Sequence, residues 1–97
     1  MEYLKSYNIT DEELLLLKSS LNLTIQNQIS LAKGEIVKVL EYLKSLGISN
    51  IFNLILYRSD LLFCDMESLN KKFNKFDVNL VKFIIENDPQ NLINFDI

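Results

Sequence analysis

The stretch that decides the fold reads Tyr42-Leu-Lys-Ser-Leu-Gly-Ile-Ser49, and the chain contains three further versions of it. In each version a large apolar residue precedes Gly, Asn or Asp, an aliphatic residue follows, and Ser, Thr or Asn comes next. Gly, Asn and Asp enter the left-handed backbone region at low cost, which suits the end of a helix. Ser, Thr and Asn cap the start of a helix. Each version therefore predicts a tight corner between two helices. The other three versions read Tyr3-Leu-Lys-Ser-Tyr-Asn-Ile-Thr10, Leu17-Lys-Ser-Ser-Leu-Asn-Leu-Thr24 and Lys72-Phe-Asn-Lys-Phe-Asp-Val-Asn79.

The four corners predict an all-α protein. We expect them at Asn8, Asn22, Gly47 and Asp77, each with a φ angle in the left-handed or the bridge region. The chain has only two glycines and one proline, whereas a barrel or sandwich needs a turn about every ten residues. Residues 1–97 are therefore predicted to form one all-α domain. Its expected architecture is a small helical-repeat, solenoid-like array of short helices joined by tight helix-corner-helix turns.

Five helices are predicted from the positions of the corners and caps, over residues 2–7, 11–21, 50–58, 66–76 and 80–87. Thr10 and Glu13 form a capping-box pattern at the start of the second helix, and Asp65 is positioned to cap the helix from residue 66. Between residues 25 and 46 the apolar residues recur at helical spacing, interrupted by Gly34. A glycine inside a helix costs only about 1 kcal/mol, so one long helix and two shorter helices both fit.

A helical repeat of thirty residues is indicated by an internal alignment. Residues 39–65 align with residues 69–95, and the apolar positions are kept, as in Leu43 with Phe73 and Leu54 with Ile84. The predicted repeat units cover about 39–68 and 69–97. A unit of this size cannot bury its apolar face alone, so the two units are expected to stack on each other.

The first of these units resembles one repeat of the mitochondrial transcription termination factor (mTERF) family. The resemblance lies in Leu43-Lys-Ser-Leu-Gly-Ile-Ser49, Leu54-Ile-Leu-Tyr-Arg58 and Asp60-Leu-Leu-Phe63, and it extends over about residues 39–95. Pro89 falls where that repeat usually has its proline. The resemblance implies a curved solenoid of helix triplets and, as often in that family, binding to double-stranded nucleic acid. The chain departs from the family in being far shorter, acidic and poor in arginine.

The charge of the chain opposes nucleic-acid binding. Ten basic and thirteen acidic residues give a formal charge of −3, and Arg58 is the only arginine. Proteins that bind nucleic acid usually present a net basic surface and use arginine for bidentate contacts. A protein partner or a homodimer is therefore favoured over nucleic acid.

The composition also opposes catalysis. The chain has no histidine and a single cysteine, Cys64, which excludes zinc fingers, intrachain disulfides and histidine-based acid–base chemistry. No glycine-rich phosphate loop, nucleophile elbow or metal motif occurs. We therefore expect no enzyme activity, no cofactor and no metal.

The expected location follows from similar observations. The chain shows neither a signal-peptide pattern nor an apolar run of membrane-spanning length. With a lone cysteine, this is typical of a cytoplasmic protein. Its richness in asparagine, lysine and isoleucine is typical of an AT-rich bacterial or mobile-element genome.

Two surfaces are candidates for interaction. The basic cluster is either a contact for phosphate or an acidic partner, or an ordinary solvated helix face. The apolar residues at the C-terminus either fold back as a cap over the last unit or form the interface of a homodimer. The basic candidates are Lys71, Lys72, Lys75 and Lys82, and the apolar candidates are Leu92, Ile93, Phe95 and Ile97.

Together these features predict a non-catalytic, small helical interaction module that binds a protein or associates with itself. The alternative is a nucleic-acid-binding regulator of the mTERF-like helical-repeat type. No membrane contact and no small-molecule cofactor is expected in either case.

Overall fold

Every regular element of the protein is helical in the computed structural model, which describes residues 1–97. There are six α-helices and three short 3-10 helices, and there is no strand, so the prediction of an all-α protein is confirmed. The α-helices are α1 (Asp11–Ser20), α2 (Leu23–Leu31), α3 (Lys33–Ser45), α4 (Phe52–Tyr57), α5 (Met66–Phe73) and α6 (Val78–Asn87). The 3-10 helices are η1 (Glu2–Tyr7), η2 (Ser59–Phe63) and η3 (Pro89–Phe95).

The long apolar stripe between residues 25 and 46 forms two helices. The break lies at Ala32, with φ −93° and ψ 26°, and Gly34 falls inside the first turn of α3. Both helices keep their apolar face in the core, since Ile29 and Ile36 are fully buried. The glycine that suggested a break is therefore not where the chain bends.

Two of the four predicted corners have the expected backbone. Asn8 has φ 67° and Gly47 has φ 87°, both in the left-handed region. At Gly47 the amide of Ile48 donates to the carbonyl of Leu43 at 3.2 Å, and the amide of Gly47 donates to the carbonyl of Lys44 at 2.9 Å. This is the Schellman pattern, which satisfies the free carbonyls at a helix end.

At the other two corners the predicted backbone angle is wrong. Asn22 has φ −69° and Asp77 has φ −62°, and each is the N-cap of the helix that follows it. The side chain of Asn22 accepts a hydrogen bond from the amide of Ile25 at 2.8 Å, and that of Asp77 accepts from the amide of Leu80 at 3.2 Å. Asn and Asp suit both a left-handed helix end and an N-cap, and here the cap geometry is the one adopted.

The helix starts follow the sequence signals more closely. Thr10 and Glu13 make the predicted capping box, with both reciprocal hydrogen bonds present, and Asp65 caps α5 through the amide of Ser68. The ends differ by a few residues. α5 ends at Phe73, three residues before the predicted end, and α6 begins at Val78, two residues before its predicted start.

The core is a single cluster of 22 buried apolar residues, to which the helices and the corners between them contribute. No polar or charged residue is buried. α4 contacts both α1 and α6, and α3 contacts α2 and α5. Burial of apolar side chains is therefore what holds the short helices together, since helices of six to thirteen residues have little stability alone.

The two glycines are expected to respond in opposite ways to an added side chain. Gly47→Val should lower the free energy of unfolding by about 1–2 kcal/mol, because a β-branched residue is strained at positive φ. A Cβ at Gly47 would meet only the Lys82 ammonium, at 3.6 Å, so the cost comes from the backbone. Gly34→Ala should raise the free energy of unfolding by about 0.5–1 kcal/mol, because its site is helical and open. Urea denaturation of both variants tests this, and an unchanged midpoint for Gly47→Val contradicts the corner.

Candidate functional site

The orientation of α5 is fixed by packing on α3. Leu69 and Phe73 are buried, and the ring of Tyr42 on α3 stacks on Phe73 with centroids 6.1 Å apart. The Tyr42 hydroxyl donates a hydrogen bond to the side-chain oxygen of Asn70 at 3.0 Å. Burial raises the pKa of the Tyr42 hydroxyl, so it stays protonated and keeps donating. These contacts turn the opposite side of α5 towards solvent.

Three of the four predicted lysines form one exposed group on that side. Lys71, Lys72 and Lys75 are exposed and have no ion-pair partner, because all five ion pairs of the protein involve other cationic groups. We call these three residues the α5 lysine face. Lys71 and Lys72 lie in the last turn of α5, and Lys75 lies in the turn that follows the helix. The structure therefore leaves three unpaired lysines close together in sequence on a chain whose net charge is negative.

The fourth lysine, Lys82, has a different environment. It is half-buried on α6, and its Nζ lies 3.6 Å from where a Cβ of Gly47 would stand. This is the C-terminal end of α3, where the helix dipole favours a cation. Lys82 thus has a local electrostatic role at the corner.

Two lysines in the N-terminal part, Lys5 and Lys18, are paired with carboxylates, in contrast to the α5 lysine face. The Lys5 ammonium lies 2.7 Å from the Asp11 carboxylate and 3.1 Å from the Glu2 carboxylate, and Lys18 lies 3.0 Å from Glu2. Hydrogen bonds from Lys18 and Lys5 lower the pKa of Glu2, and those to Asp11 and Glu2 raise the pKa of Lys5. These pairs are exposed and add little stability, but they cancel charge locally.

The predicted apolar C-terminal surface is mostly internal. Leu92 and Ile97 are buried, and Phe95 packs edge-on against Phe76 with centroids 5.2 Å apart. Only Ile93 is exposed, to 70 %. The structure does not bring the four residues together as one exposed patch. Of the two alternatives for these residues, the structure shows the fold-back segment for Leu92, Phe95 and Ile97 and leaves Ile93 at the surface.

A hydrogen-bonded arginine holds this segment in place. Arg58 makes a bidentate pair with Asp60 at 3.0 and 3.1 Å, and its Nη2 donates to the backbone oxygen of Ile97 at 2.6 Å. Asp96 adopts φ 59°, and the amide of Ile97 donates to the carbonyl of Leu92 at 3.1 Å. The only arginine of the chain therefore has a structural task.

An apolar groove between α2 and η2 was missed by sequence reasoning. It has a volume of about 510 Å³ and is open to solvent, and Leu31 and Phe63 provide much of its apolar surface. Leu31 is 88 % exposed, although it is a large aliphatic residue. Its position off the stripe of Ile25, Ile29 and Ala32 was a signal that it would not enter the core. The lining residues are Gln28, Leu31, Ala32, Asp60 and Phe63.

Two exposed leucines on α1 were also missed. Leu14 and Leu17 are buried, whereas Leu15 is 67 % exposed and Leu16 is 53 % exposed. A helix turns by about 100° per residue, so four consecutive leucines cannot all face the core. The run of four leucines was therefore the sequence signal that some of them would be exposed.

The remaining candidate residues have structural surroundings. Cys64 is half-buried, and its Sγ lies 3.7 Å from the carbonyl oxygen of Asp60. No three side chains of the metal-binding types His, Cys, Asp and Glu are grouped closely enough to hold an ion. None of the helices has the length and apolarity needed to cross a bilayer.

Comparison with known proteins adds no relative: no family model, no curated protein and no solved structure matches the chain significantly.

Two substitutions in the C-terminal segment test which of its side chains are in the core and which are at the surface. Leu92→Ala should lower the free energy of unfolding by about 2–5 kcal/mol, because it leaves a cavity in the core. Ile93→Ala, one residue further along the same 3-10 helix, should change it by less than about 0.5 kcal/mol, because that side chain is exposed. Thermal or urea unfolding of the two variants measures the difference. Equal effects would contradict the placement of the segment.

Proposed function

We propose that the protein is a non-catalytic helical interaction module that binds a protein partner or a second copy of itself. The observation that carries this proposal is the exposed apolar groove of Leu31 and Phe63. The core of the protein is otherwise well filled, with 22 buried apolar residues in one cluster. Exposed Leu31 and Phe63 beside the buried core form an apolar surface that contact with another protein would cover.

We also propose that the helices form a solenoid-like arrangement of repeat units, which suits an interaction module. The elements α3, α4 and η2 occur in the same order as α5, α6 and η3, and η2 and η3 begin thirty residues apart. Arg58 and Asp88, which precede η2 and η3, have similar backbones, with φ −138° and ψ 49° against φ −152° and ψ 70°. The equivalent helices also touch each other, α3 with α5 and α4 with α6. Stacking of equivalent elements is the organisation of a solenoid.

The N-terminal helices extend this arrangement. α1 contacts α4, as α4 contacts α6, and η1 ends in a left-handed residue, Asn8, as α3 is followed by Gly47. The side-chain amide of Asn8 donates to the carbonyl of Ser49 at 3.3 Å, which joins the two corners. We infer that η1, α1 and α2 form a third, shorter unit. Solenoids present extended surfaces to partners, and in the proposed arrangement the groove joins α2 of the third unit to η2 of the next.

Site-specific cross-linking tests the proposed contact. A photoreactive residue in place of Leu31 should give a discrete cross-linked protein product in the cells that produce the chain, because the groove is the docking site. The same residue in place of Lys38, which is exposed on α3 and paired with Glu35, is the matched control and should give none. Identical patterns at the two positions, or no product at either, would contradict the proposal.

Nucleic-acid binding is a second candidate, favoured by the unpaired α5 lysine face and by the resemblance to the mTERF repeat. We expect it to be weak, because the chain carries a net charge of −3 and uses its one arginine internally. A salt series with duplex DNA measures it. Submicromolar affinity at physiological salt, lost in the Lys71→Glu/Lys72→Glu/Lys75→Glu variant and kept in Lys38→Glu, would replace the proposed function with this one.

A further inference from the structure

We propose that the C-terminal segment, residues 89–97, is a latch on the apolar groove. It opens and closes together with η2, which forms one wall of the groove, because Arg58 holds the two to each other. This deepens the proposed function: it rests on the groove as the docking site, and it adds that a partner bound there orders the C-terminal segment. The contacts of Arg58 and the positions of its partners support this coupling.

Arg58 makes hydrogen bonds to both parts. Its Nε and Nη2 donate to the carboxylate of Asp60 at 3.0 and 3.1 Å, and Nη2 also donates to the backbone oxygen of Ile97 at 2.6 Å. Asp60 belongs to η2 and lines the groove, whereas Ile97 belongs to the C-terminal segment. The bond to Ile97 is the one hydrogen bond that joins residues 58–63 to residues 89–97. Without it, the two parts are connected only through packing.

The guanidinium of Arg58 has no substitute for these partners. The Arg58 side chain is 16 % exposed, and its Nη1 is buried without a hydrogen bond. An arginine keeps its charge at any ordinary pH, and a mostly buried charge is costly unless it is paired. Asp60 supplies the opposite charge, and its own side chain is 64 % exposed. When either Asp60 or Ile97 moves away, the guanidinium loses a contact that it cannot replace inside the protein.

Both parts are short elements that rest on the same helix. η2 has five residues and η3 has seven, and each of them contacts α4. Short 3-10 helices have poorer hydrogen-bond geometry than α-helices. Segments of this kind open locally at a smaller free energy than core helices do. We therefore expect η2 and the C-terminal segment to be among the parts that open first and, since Arg58 joins them, to open together.

Opening of this unit removes one wall of the groove. Phe63 on η2 and Leu31 on α2 provide the apolar surface of the groove on its two sides. A partner that fills the groove binds only the closed state, so it stabilises that state by mass action. The coupling is reciprocal, because the free energies of binding and of opening are linked. Binding at the groove therefore slows the opening of residues 89–97, although none of them lines it.

Amide hydrogen exchange tests the coupling on the free protein. The amide of Ile97, which donates to the carbonyl of Leu92 at 3.1 Å, reports on the C-terminal segment. The amide of Leu61, which donates to the carbonyl of Arg58 at 3.0 Å, reports on η2. Each amide exchanges with solvent only when its hydrogen bond is broken, so the two rates follow the opening of the two parts.

A substitution in the C-terminal segment should reach η2. Phe95→Ala removes the edge-on contact with Phe76. Exchange at Ile97 should become about tenfold faster, because a half-buried aromatic ring is lost from the packing of its segment. Exchange at Leu61 should become faster by the same factor, because the two parts open as one. The matched control is Ile93→Ala, in the same segment but with an exposed side chain, and it should change neither rate.

Arg58→Met shows whether the coupling passes through the guanidinium. The substitution keeps an unbranched apolar stem and removes the hydrogen bonds to both partners. In this background, Phe95→Ala should still accelerate exchange at Ile97 but should leave the rate at Leu61 unchanged. Circular dichroism confirms that each variant is folded. Should Arg58→Met not fold, Arg58→Lys replaces it, because an ammonium cannot reproduce the fork of hydrogen bonds.

Two outcomes overturn the proposal. An unchanged rate at Leu61 in the Phe95→Ala chain shows that the two parts open separately. Equal acceleration at Leu61 with Arg58 present and with Arg58→Met shows that the coupling runs through the whole domain and not through the guanidinium. Neither outcome refutes the interaction module, which stands if the Leu31 cross-linked product is found. Absence of that product refutes the module and leaves the exchange result in place.

Discussion

The fold depends on one repeated constraint: after a left-handed residue closes a helix, the next aliphatic side chain must return to the core. Ile9, Ile48 and Ile97 follow Asn8, Gly47 and Asp96, and all three isoleucines are buried. After Gly47 and after Asp96, the amide of the following isoleucine donates a hydrogen bond to the carbonyl five residues before that isoleucine. Because the hydrogen bond and the apolar contact are made by the same residue, the direction of the chain after each corner is set locally.

The position of the residue after each corner also separates the corner predictions that were confirmed from those that were wrong. Asn22 and Asp77 match the corner pattern as well as Asn8 does, yet they cap helices, and the residues after them, Leu23 and Val78, stay exposed. The pattern shows that a corner exists, but it suits both geometries, and the two geometries differ in whether the next residue is buried. The choice between them involves the whole domain, so a local pattern does not determine it.

One corner of the same kind was overlooked. Phe95, Asp96 and Ile97 repeat the order of large apolar residue, left-handed residue and aliphatic residue, and the structure uses them so. Reading the pattern there would have placed Ile97 in the core and not in an interface. By contrast, the groove of Leu31 and Phe63 joins elements about thirty residues apart in sequence, so only their relative placement in three dimensions reveals it.

The contacts made by the acidic side chains determine which lysines have an ion-pair partner. In the C-terminal part, Asp65 and Asp77 accept hydrogen bonds from backbone amides at helix starts, and Asp60 pairs with Arg58. These carboxylates are engaged by backbone amides or by the arginine, and none of them makes an ion pair with a lysine. In the N-terminal part, Glu2 and Asp11 pair with Lys5 and Lys18. The α5 lysine face therefore has no ion pair, although exposed Glu67 and Asp77 lie near it in the sequence.

In the proposed array of repeat units, the positions that differ between units are those that stacking does not fix. At the thirty-residue offset some buried pairs agree, as in Leu54 with Ile84 and Ile55 with Ile85, whereas buried Ile48 corresponds to exposed Val78. Half-buried Asn53, whose side-chain amide donates to the carbonyl of Glu86, corresponds to Phe83, which is 65 % exposed. Phe83 therefore gains no contact with the core from being aromatic where the other unit has a polar residue. The exposed ring of Phe83 instead adds apolar surface to the outer face of α6, and such surface is compatible with the proposed interaction module.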